Sequence, residues 1–497
     1  MREFDVLVVD GEREEVGGIR LLLGYLGITV LIVGAIMLTP LLVLPFYPEE
    51  AGEAKCFILP AVISIMAGWF LSSFVRGRKL KRLARHQDAL LVVTVWMTGI
   101  FLAALPFLLT GEYNLLQSLF ESTSGLSTTG LSVVDVGTAS HVVLMYRSIL
   151  LFFGGVGLIL VFTSILSDRY GMRLYNAEGH NDKVMPNLVK SARMILLIYA
   201  VYIAAGTVAY VAFGMPIFDA LNHAVAAVST GGFSTRVESI GAFDSVAIEI
   251  VTIILMILGN TNFFVHVHLF QRRFRLAFRH VELVFLGIVA LIAIPVLALT
   301  LGGGIPPGET IRVAVFQFVS AITTTGFQTI PAFVGMPSAF LWLLVVFMLV
   351  GAGIGSTGGG MKQLRVAIAL KSLWWNLRDH LGHPRRIAPS TILRVGNREV
   401  VDARTQVDTF SFLMLYLLVF AVGSFVFMLD GHPVGMAMFE FASCLGTVGL
   451  SVGITGFAAP GFVLATGIAG MFLGRLEIVV VVYACSRAFG RKEGIVA

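Results

Sequence analysis

Residues 124–133 read SGLSTTGLSV, and this polar stretch lies between two apolar runs, at about 89–110 and 148–166, each long enough to cross a membrane. Such a stretch makes a poor spanning helix. Its exposed backbone groups find no partners in lipid, so irregular backbone at membrane depth survives only inside protein or along a water-filled cavity.

The surrounding composition fits a membrane. Of the 497 residues, 57% are hydrophobic and 13% are charged, and the mean hydropathy is +0.88. Soluble domains carry about 25% charged residues. Apolar runs of roughly 20 residues, the length that crosses a bilayer, recur along the whole chain. Three cysteines (Cys56, Cys444 and Cys485) form no regular pattern, which excludes a disulfide framework or a cysteine metal cluster. The N-terminal MREFDVLVVDGEREEVGG is mixed in charge and lacks the apolar core of a cleaved leader.

Counting apolar runs against charged and Gly/Pro breaks predicts ten spans, at about 21–46, 57–75, 89–110, 148–166, 194–213, 246–270, 281–302, 338–361, 406–429 and 460–486. With the N-terminus inside, the inner segments hold 30 Lys and Arg residues and the outer segments hold four, namely Lys55, Arg147, Arg236 and Arg312. That bias supports the count and places both termini in the cytoplasm. Arg475 alone lies within a span.

The opening stretch has three counterparts. LSTTGLSV (126–133), VSTGGFST (228–235), ITTTGFQT (322–329) and LGTVGLSV (445–452) all follow a semi-polar segment on the outer side. Aligned on Gly130, Gly232, Gly326 and Gly449, the copies are 102, 94 and 123 residues apart. Nine residues before each glycine stand Glu121, His223, Gln317 and Glu440. A single Thr-Thr-Gly carries little information, because glycine in a membrane helix ordinarily serves close packing. Four copies in one register define a repeated unit of span, re-entrant loop and span.

Four short extended segments around an axis can replace a cation's water shell with backbone carbonyls. Glycine gives the required dihedrals and close approach, and threonine hydroxyls add hard oxygen ligands. The preceding helix would point its partly negative C-terminal end toward the cation. The candidate filter is therefore Thr128, Thr129 and Gly130; Thr230, Gly231 and Gly232; Thr324, Thr325 and Gly326; and Thr447, Val448 and Gly449. The bound metal is expected to be K+, as cargo.

On these motifs, over about residues 89–487, the sequence resembles the Trk/Ktr/HKT superfamily of potassium transporters. The two extra N-terminal spans resemble the Trk branch, and the fourth loop, GTVGLSVG, resembles the Ktr type. The resemblance implies an all-α polytopic fold of about ten transmembrane helices, eight of which form four repeats around a central pseudo-fourfold pore. The expected divisions are 1–86 (N-terminal segment and two extra helices), 87–190, 191–280, 281–405 and 406–497 (repeats one to four). In plant relatives a serine at the first filter glycine accompanies sodium transport. All four positions are glycine here, which implies potassium preference.

GAGIGSTGGGMK, residues 351–362, breaks the eighth span. Its six glycines, Gly351, Gly353, Gly355, Gly358, Gly359 and Gly360, each cost a helix about 1 kcal/mol against alanine. A phosphate-binding loop is excluded by spelling, since Gln363 stands where Ser or Thr is needed and no strand precedes it. In the family resembled, the matching break is a mobile loop that gates the pore, and an arginine in the last span, here Arg475, lies beside it. An intramembrane charge is also a candidate functional residue on energetic grounds, although a salt bridge to another helix is the rival reading. Asn262 and His266 share a helix face at i, i+4 spacing, where they line the inner pore or make an interhelical hydrogen bond. Glu121 and Glu440 are expected to brace the filter turns, and Arg147 to snorkel to the outer interface.

The function expected is potassium uptake through a gated pore of the cell membrane. The alternatives are a sodium- or proton-coupled symporter and, more distantly, a membrane-embedded enzyme. No mid-span carboxylate cluster favours the symporter, and no metal-ligand cluster or nucleophile–base pair favours the enzyme. No organic cofactor and no nucleic-acid partner are expected. The family resemblance implies a homodimer docked on a cytosolic ring that binds nucleotides, and the basic inner face suits anionic lipid.

Overall fold

The computed structural model describes residues 15–16, 18–76, 79–80, 87–157, 188–302, 306–381, 390–394 and 397–489. Helices dominate, as expected. Two of them, α1 (Gly18–Leu38) and α2 (Ala54–Ser72), precede the repeats. They cross tightly because Gly68 presses on the Leu31 amide and Gly27 on the backbone of Ser72. Any Cβ at either glycine would push the backbones apart. The predicted first span, 21–46, ends earlier as a helix, giving way to a 3-10 turn at Thr39–Val43 where Pro40 enters.

Each repeat then runs long helix, short helix, loop, exit helix. In the first, α3 (Gln87–Thr110) leads to α4 (Leu115–Leu126) and α5 (His141–Val156). The second contains α6 (Leu188–Ala212), α7 (Ile217–Val228), α8 (Val246–Asn260) and α9 (Phe263–Phe270), followed by a short connecting helix, α10 (Phe274–Ala277). The third contains α11 (Val281–Leu301), α12 (Pro307–Ile322), α13 (Ser338–Val350) and α14 (Gln363–Leu381). The fourth contains α15 (Ala403–Met428), α16 (Val434–Gly446), α17 (Gly461–Leu476) and α18 (Ile478–Phe489). Between α14 and α15 an antiparallel hairpin pairs Thr391–Arg394 with Asn397–Val400.

Six described helices are long and apolar enough to span a membrane, and two bent pairs raise this to eight. The shorter exit helices α5 and α13 complete the expected ten. Leu291 and Leu299 of α11 are 78% and 81% exposed, as lipid-facing side chains are without a bilayer around them. The short helices, in contrast, are sunk in the core, with Phe120, Phe316 and Phe439 fully buried.

The second and fourth exit spans bend where continuous helices are predicted, the first stops short of its predicted end, and the third breaks at the glycine run as expected. The 246–270 span bends by 111° between α8 and α9, and the 460–486 span by 98° between α17 and α18. The 338–361 span stops at Val350. The first exit helix ends at Val156, with Gly157 at φ 92°, and residues 158–166 lie outside the described set. All four exit helices thus stop 24 to 28 residues after their loop glycine. Outside the third repeat hydropathy hid this, because apolar residues continue past the break.

Candidate functional site

The four short helices end in the same way. Thr128, Thr230, Thr324 and Thr447 take left-handed φ values of 55°, 51°, 55° and 51°. The amide of the next residue bonds back five positions, Thr129 to the Ser124 carbonyl at 2.9 Å, Gly231 to Ala226 at 2.9 Å, Thr325 to Ser320 at 3.0 Å and Val448 to Ser443 at 2.9 Å. Together with the preceding amide, which bonds back three, this is a Schellman cap. Glycine usually fills the left-handed position. A β-branched residue there is strained by about 1–3 kcal/mol, a cost met chiefly at functional sites.

The loops close into a ring. A Cβ on Gly130 would collide with the Gly231 carbonyl oxygen, one on Gly232 with that of Thr325, one on Gly326 with that of Val448, and one on Gly449 with that of Thr129. Each repeat therefore lays one carbonyl against the glycine of its neighbour, in cyclic order. Glycine is required twice over, by this contact and by positive φ (93°, 62°, 85° and 104°). Among the described residues, none of these four carbonyl oxygens accepts a hydrogen bond. Buried backbone acceptors are nearly always paired, so a ring of four open ones is a candidate cation site.

Side chains brace the loops from behind. Glu121 accepts from the Ser132 hydroxyl and, at 2.9 Å, from the Val133 amide. Glu440 repeats this with Ser451 at 2.8 Å and Val452 at 2.7 Å, and adds the amide and hydroxyl of Thr455. His223 Nε2 meets the Ser234 hydroxyl at 2.9 Å, and Gln317 Nε2 donates to Thr329 Oγ1 at 3.4 Å. The bracing expected of the two glutamates is thus a property of all four repeats. Sequence reasoning missed three further braces. Ser124 and Ser443 accept from the amides of Gly130 and Gly449 at 3.0 and 2.9 Å, and Ser320 donates to the Phe327 carbonyl at 2.6 Å. Their signal was the shared register, six residues before each glycine.

Arg147 does not snorkel. Its side chain is 3% exposed and its Nε lies 2.7 Å from Glu121 Oε1. α5 carries it inward behind the first loop, where the guanidinium also stacks 4.0 Å from the Phe233 ring.

The six-glycine break folds directly beneath the ring. Gly351 ends α13 at φ 70°, and the chain turns back so that the Ala352 amide donates to the Gly359 carbonyl at 3.0 Å. Thr357, which the glycine pattern did not single out, sits at its centre. Its Oγ1 accepts from Thr230 at 3.0 Å and donates to the Gly259 carbonyl at 3.0 Å, while its carbonyl accepts from Thr128 at 3.5 Å. The Gly359 amide donates to Thr324 Oγ1 at 2.9 Å. Gly359 also abuts the hydroxyl of Thr447, which has no hydrogen-bond partner among the described residues. One loop therefore touches the capping threonine of every repeat, and on the opposite side of the glycines lies a cavity of about 250 Å³.

Arg475 ends α17 and reaches the same loop. Its Nη1 donates to the Thr357 carbonyl at 2.5 Å and its Nη2 to the Gly154 carbonyl of α5. Glu477 pairs instead with Arg365 of α14, at 2.8 Å. Of the inner-pore pair, Asn262 caps α9 and donates to the Ile354 carbonyl of the loop at 2.6 Å. His266 meets Tyr202 at 2.9 Å, which is the interhelical bond rather than a pore lining. Asn260 and Glu282, not picked out from sequence, hold the amides of Gly353 and Ile354 at 3.2 and 2.6 Å.

A ring of four equivalent loops, built from one chain and stopped from beneath, is a recognisable plan. The sequence profile of the TrkH family, described as cation transport protein, matches residues 61–489. The chain belongs to the TrkH family. Among its relatives, the Trk system potassium uptake protein TrkH of Halomonas elongata is 31% identical over 493 residues, covering 95% of this chain and 100% of that one. The TrkG protein of the Trk system in Escherichia coli K12 is also 31% identical, covering 95% and 99%. The crystal structure of the potassium transporter TrkH from Vibrio parahaemolyticus superposes with a TM-score of 0.84 at 27% identity, covering 96% of this chain and all of that one. Membership of a cation transport family sets aside the membrane-enzyme alternative.

Proposed function

We propose that this chain is the potassium-conducting membrane subunit of a Trk-type uptake system. The reading rests on one observation, the four open carbonyls of Thr129, Gly231, Thr325 and Val448, each facing the next repeat's glycine. Oxygen atoms with no hydrogen to accept stabilise a cation that sheds its water. Thr128, Thr230, Thr324 and Thr447 extend the oxygen path on one side of the ring, and Gly130, Gly232, Gly326 and Gly449 line the cavity on the other. Potassium is the cargo named for the relatives, and four glycines without a serine fit that preference.

Gly351, Gly353, Gly355, Gly358, Gly359 and Gly360 form the gate, with Arg475 as its latch. The loop occupies the exit from the ring, and the guanidinium places a fixed positive charge beside it. Charge bias supports cytoplasmic termini, with cations entering from outside through the glycine ring. The relatives are named as parts of a Trk system, which supports a multi-component assembly. A homodimer on a nucleotide-binding cytosolic ring is the specific form proposed.

Potassium and sodium flux into liposomes, with and without an imposed proton gradient, tests this. Potassium moving down its own gradient, unaffected by protons or sodium, is expected. Flux that requires either co-ion makes the chain a symporter.

A further inference from the structure

The four braces behind the filter differ in charge, and one residue sets the difference. In repeat three the brace is Gln317, which is uncharged. In repeat two, Ser234 Oγ accepts the Arg236 amide at 2.9 Å and faces His223 Nε2, while His223 Nδ1 faces the Asp219 carbonyl at 2.8 Å. A neutral imidazole satisfies that chain of bonds. Asp219 itself is paired with Arg236 at 2.5 Å.

Repeats one and four use carboxylates, in different company. Glu440 is fully buried and its partners are the Ser451 hydroxyl, the Val452 amide, and the amide and hydroxyl of Thr455. All four donate, which suits an ionised carboxylate, and none is charged. Glu121 is equally buried but carries Arg147 at 2.7 Å. Arg147 is held in turn by the Ser234 carbonyl at 3.2 Å and by the Phe233 ring, both next to Gly232 of the neighbouring loop. The exit helix of repeat four, α17, has no basic residue before Arg475. The two carboxylates are alike in backbone role and unlike in charge.

We propose that Arg147 is a specificity-determining residue: by cancelling Glu121 it leaves the filter in the field of one buried carboxylate, Glu440, and so tunes it to monovalent over divalent cations. The reasoning is electrostatic. A fixed charge stabilises a divalent ion twice as much as a monovalent one at the same place. Any change in fixed charge behind the filter therefore alters divalent affinity by about the square of the change in potassium affinity. A second uncancelled carboxylate would draw divalent ions into the ring and block it. Asp135 also borders the cavity, but it is solvent-exposed and its field is screened.

The inference rests on the filter reading, and the experiment separates the two. Potassium flux into liposomes is measured against Ba2+ for the full chain and for Arg147→Met, Glu121→Gln and the double variant. Competition between Ba2+ and potassium in the unaltered protein tests the filter itself, and its absence faults that reading. Given competition, Arg147→Met should tighten potassium by about threefold and Ba2+ by about tenfold. Glu121→Gln should weaken both by similar factors, and the double variant should return close to the starting values. Both single variants shifting in the same direction, equal shifts for the two ions, or a double variant as altered as the singles would each overturn it, since packing damage behaves that way. If Arg147→Met is not recovered folded, Glu440→Gln serves instead. It should weaken Ba2+ by about the square of its effect on potassium, and equal effects would again overturn the proposal.

Discussion

Arg475 Nη1 donates to the carbonyl oxygen of Thr357 at 2.5 Å, joining the last exit helix to the loop that lies under the filter. The same guanidinium bonds the Gly154 carbonyl where the first exit helix stops. Three repeats thus converge on one cation. A charge-assisted bond of this kind contributes about 1.5–3 kcal/mol, so the contact is strong enough to bias a gate and weak enough to be broken by one.

Replacing Arg475 with Gln should weaken the closed arrangement by about 2 kcal/mol, a shift of roughly thirtyfold in the gate equilibrium. Basal potassium flux into liposomes should rise. A variant that keeps its thermal stability and shows unchanged or lower flux would assign Arg475 to packing alone.

Thr357→Val removes one hydroxyl and keeps the shape. It strips the contacts to Thr230 Oγ1 and the Gly259 carbonyl but leaves the main-chain contact to Arg475. The loop should loosen by about 1–2 kcal/mol, raising basal flux less than the Arg475 change does. Flux measured for both variants in one vesicle preparation checks the order.

Glu440→Ala leaves the amides of Val452 and Thr455 buried without an acceptor. Each such group costs about 1–3 kcal/mol, so the protein should lose its folded form at a clearly lower temperature in detergent. Heating followed by size-exclusion chromatography reads this. An unshifted profile would contradict the bracing role.

The repeats were legible because their register is written in residue types that few other uses explain. Gly130, Gly232, Gly326 and Gly449, with Glu121 and Glu440 nine residues earlier, recur where hydropathy already placed outer loops. The reason for the glycines was only half visible. Positive φ follows from local sequence, whereas the neighbouring carbonyl that occupies each Cβ position is a contact between repeats, 93 to 122 residues apart at three seams and 320 at the seam that closes the ring. Arg147 was misjudged for a related reason. Its place near an outer helix end suggests snorkelling, and nothing local reveals that Glu121 waits behind the loop. The bends after Asn260 and Leu476 escaped because apolar residues run on through both. Thr357 lay hidden in a glycine run whose composition drew attention away from it.

The central claim is that four glycines admit potassium by letting neighbouring carbonyls close a ring. Gly130→Ser places a Cβ against the Gly231 carbonyl oxygen at a φ of 93°, which opens the ring at one seam without touching the gate. The most direct measurement is the ratio of potassium to sodium flux in liposomes for the unaltered chain and for this variant. Strong potassium preference in the first and a marked fall in the second is the result predicted. An unchanged ratio in a folded, conducting variant would contradict the account.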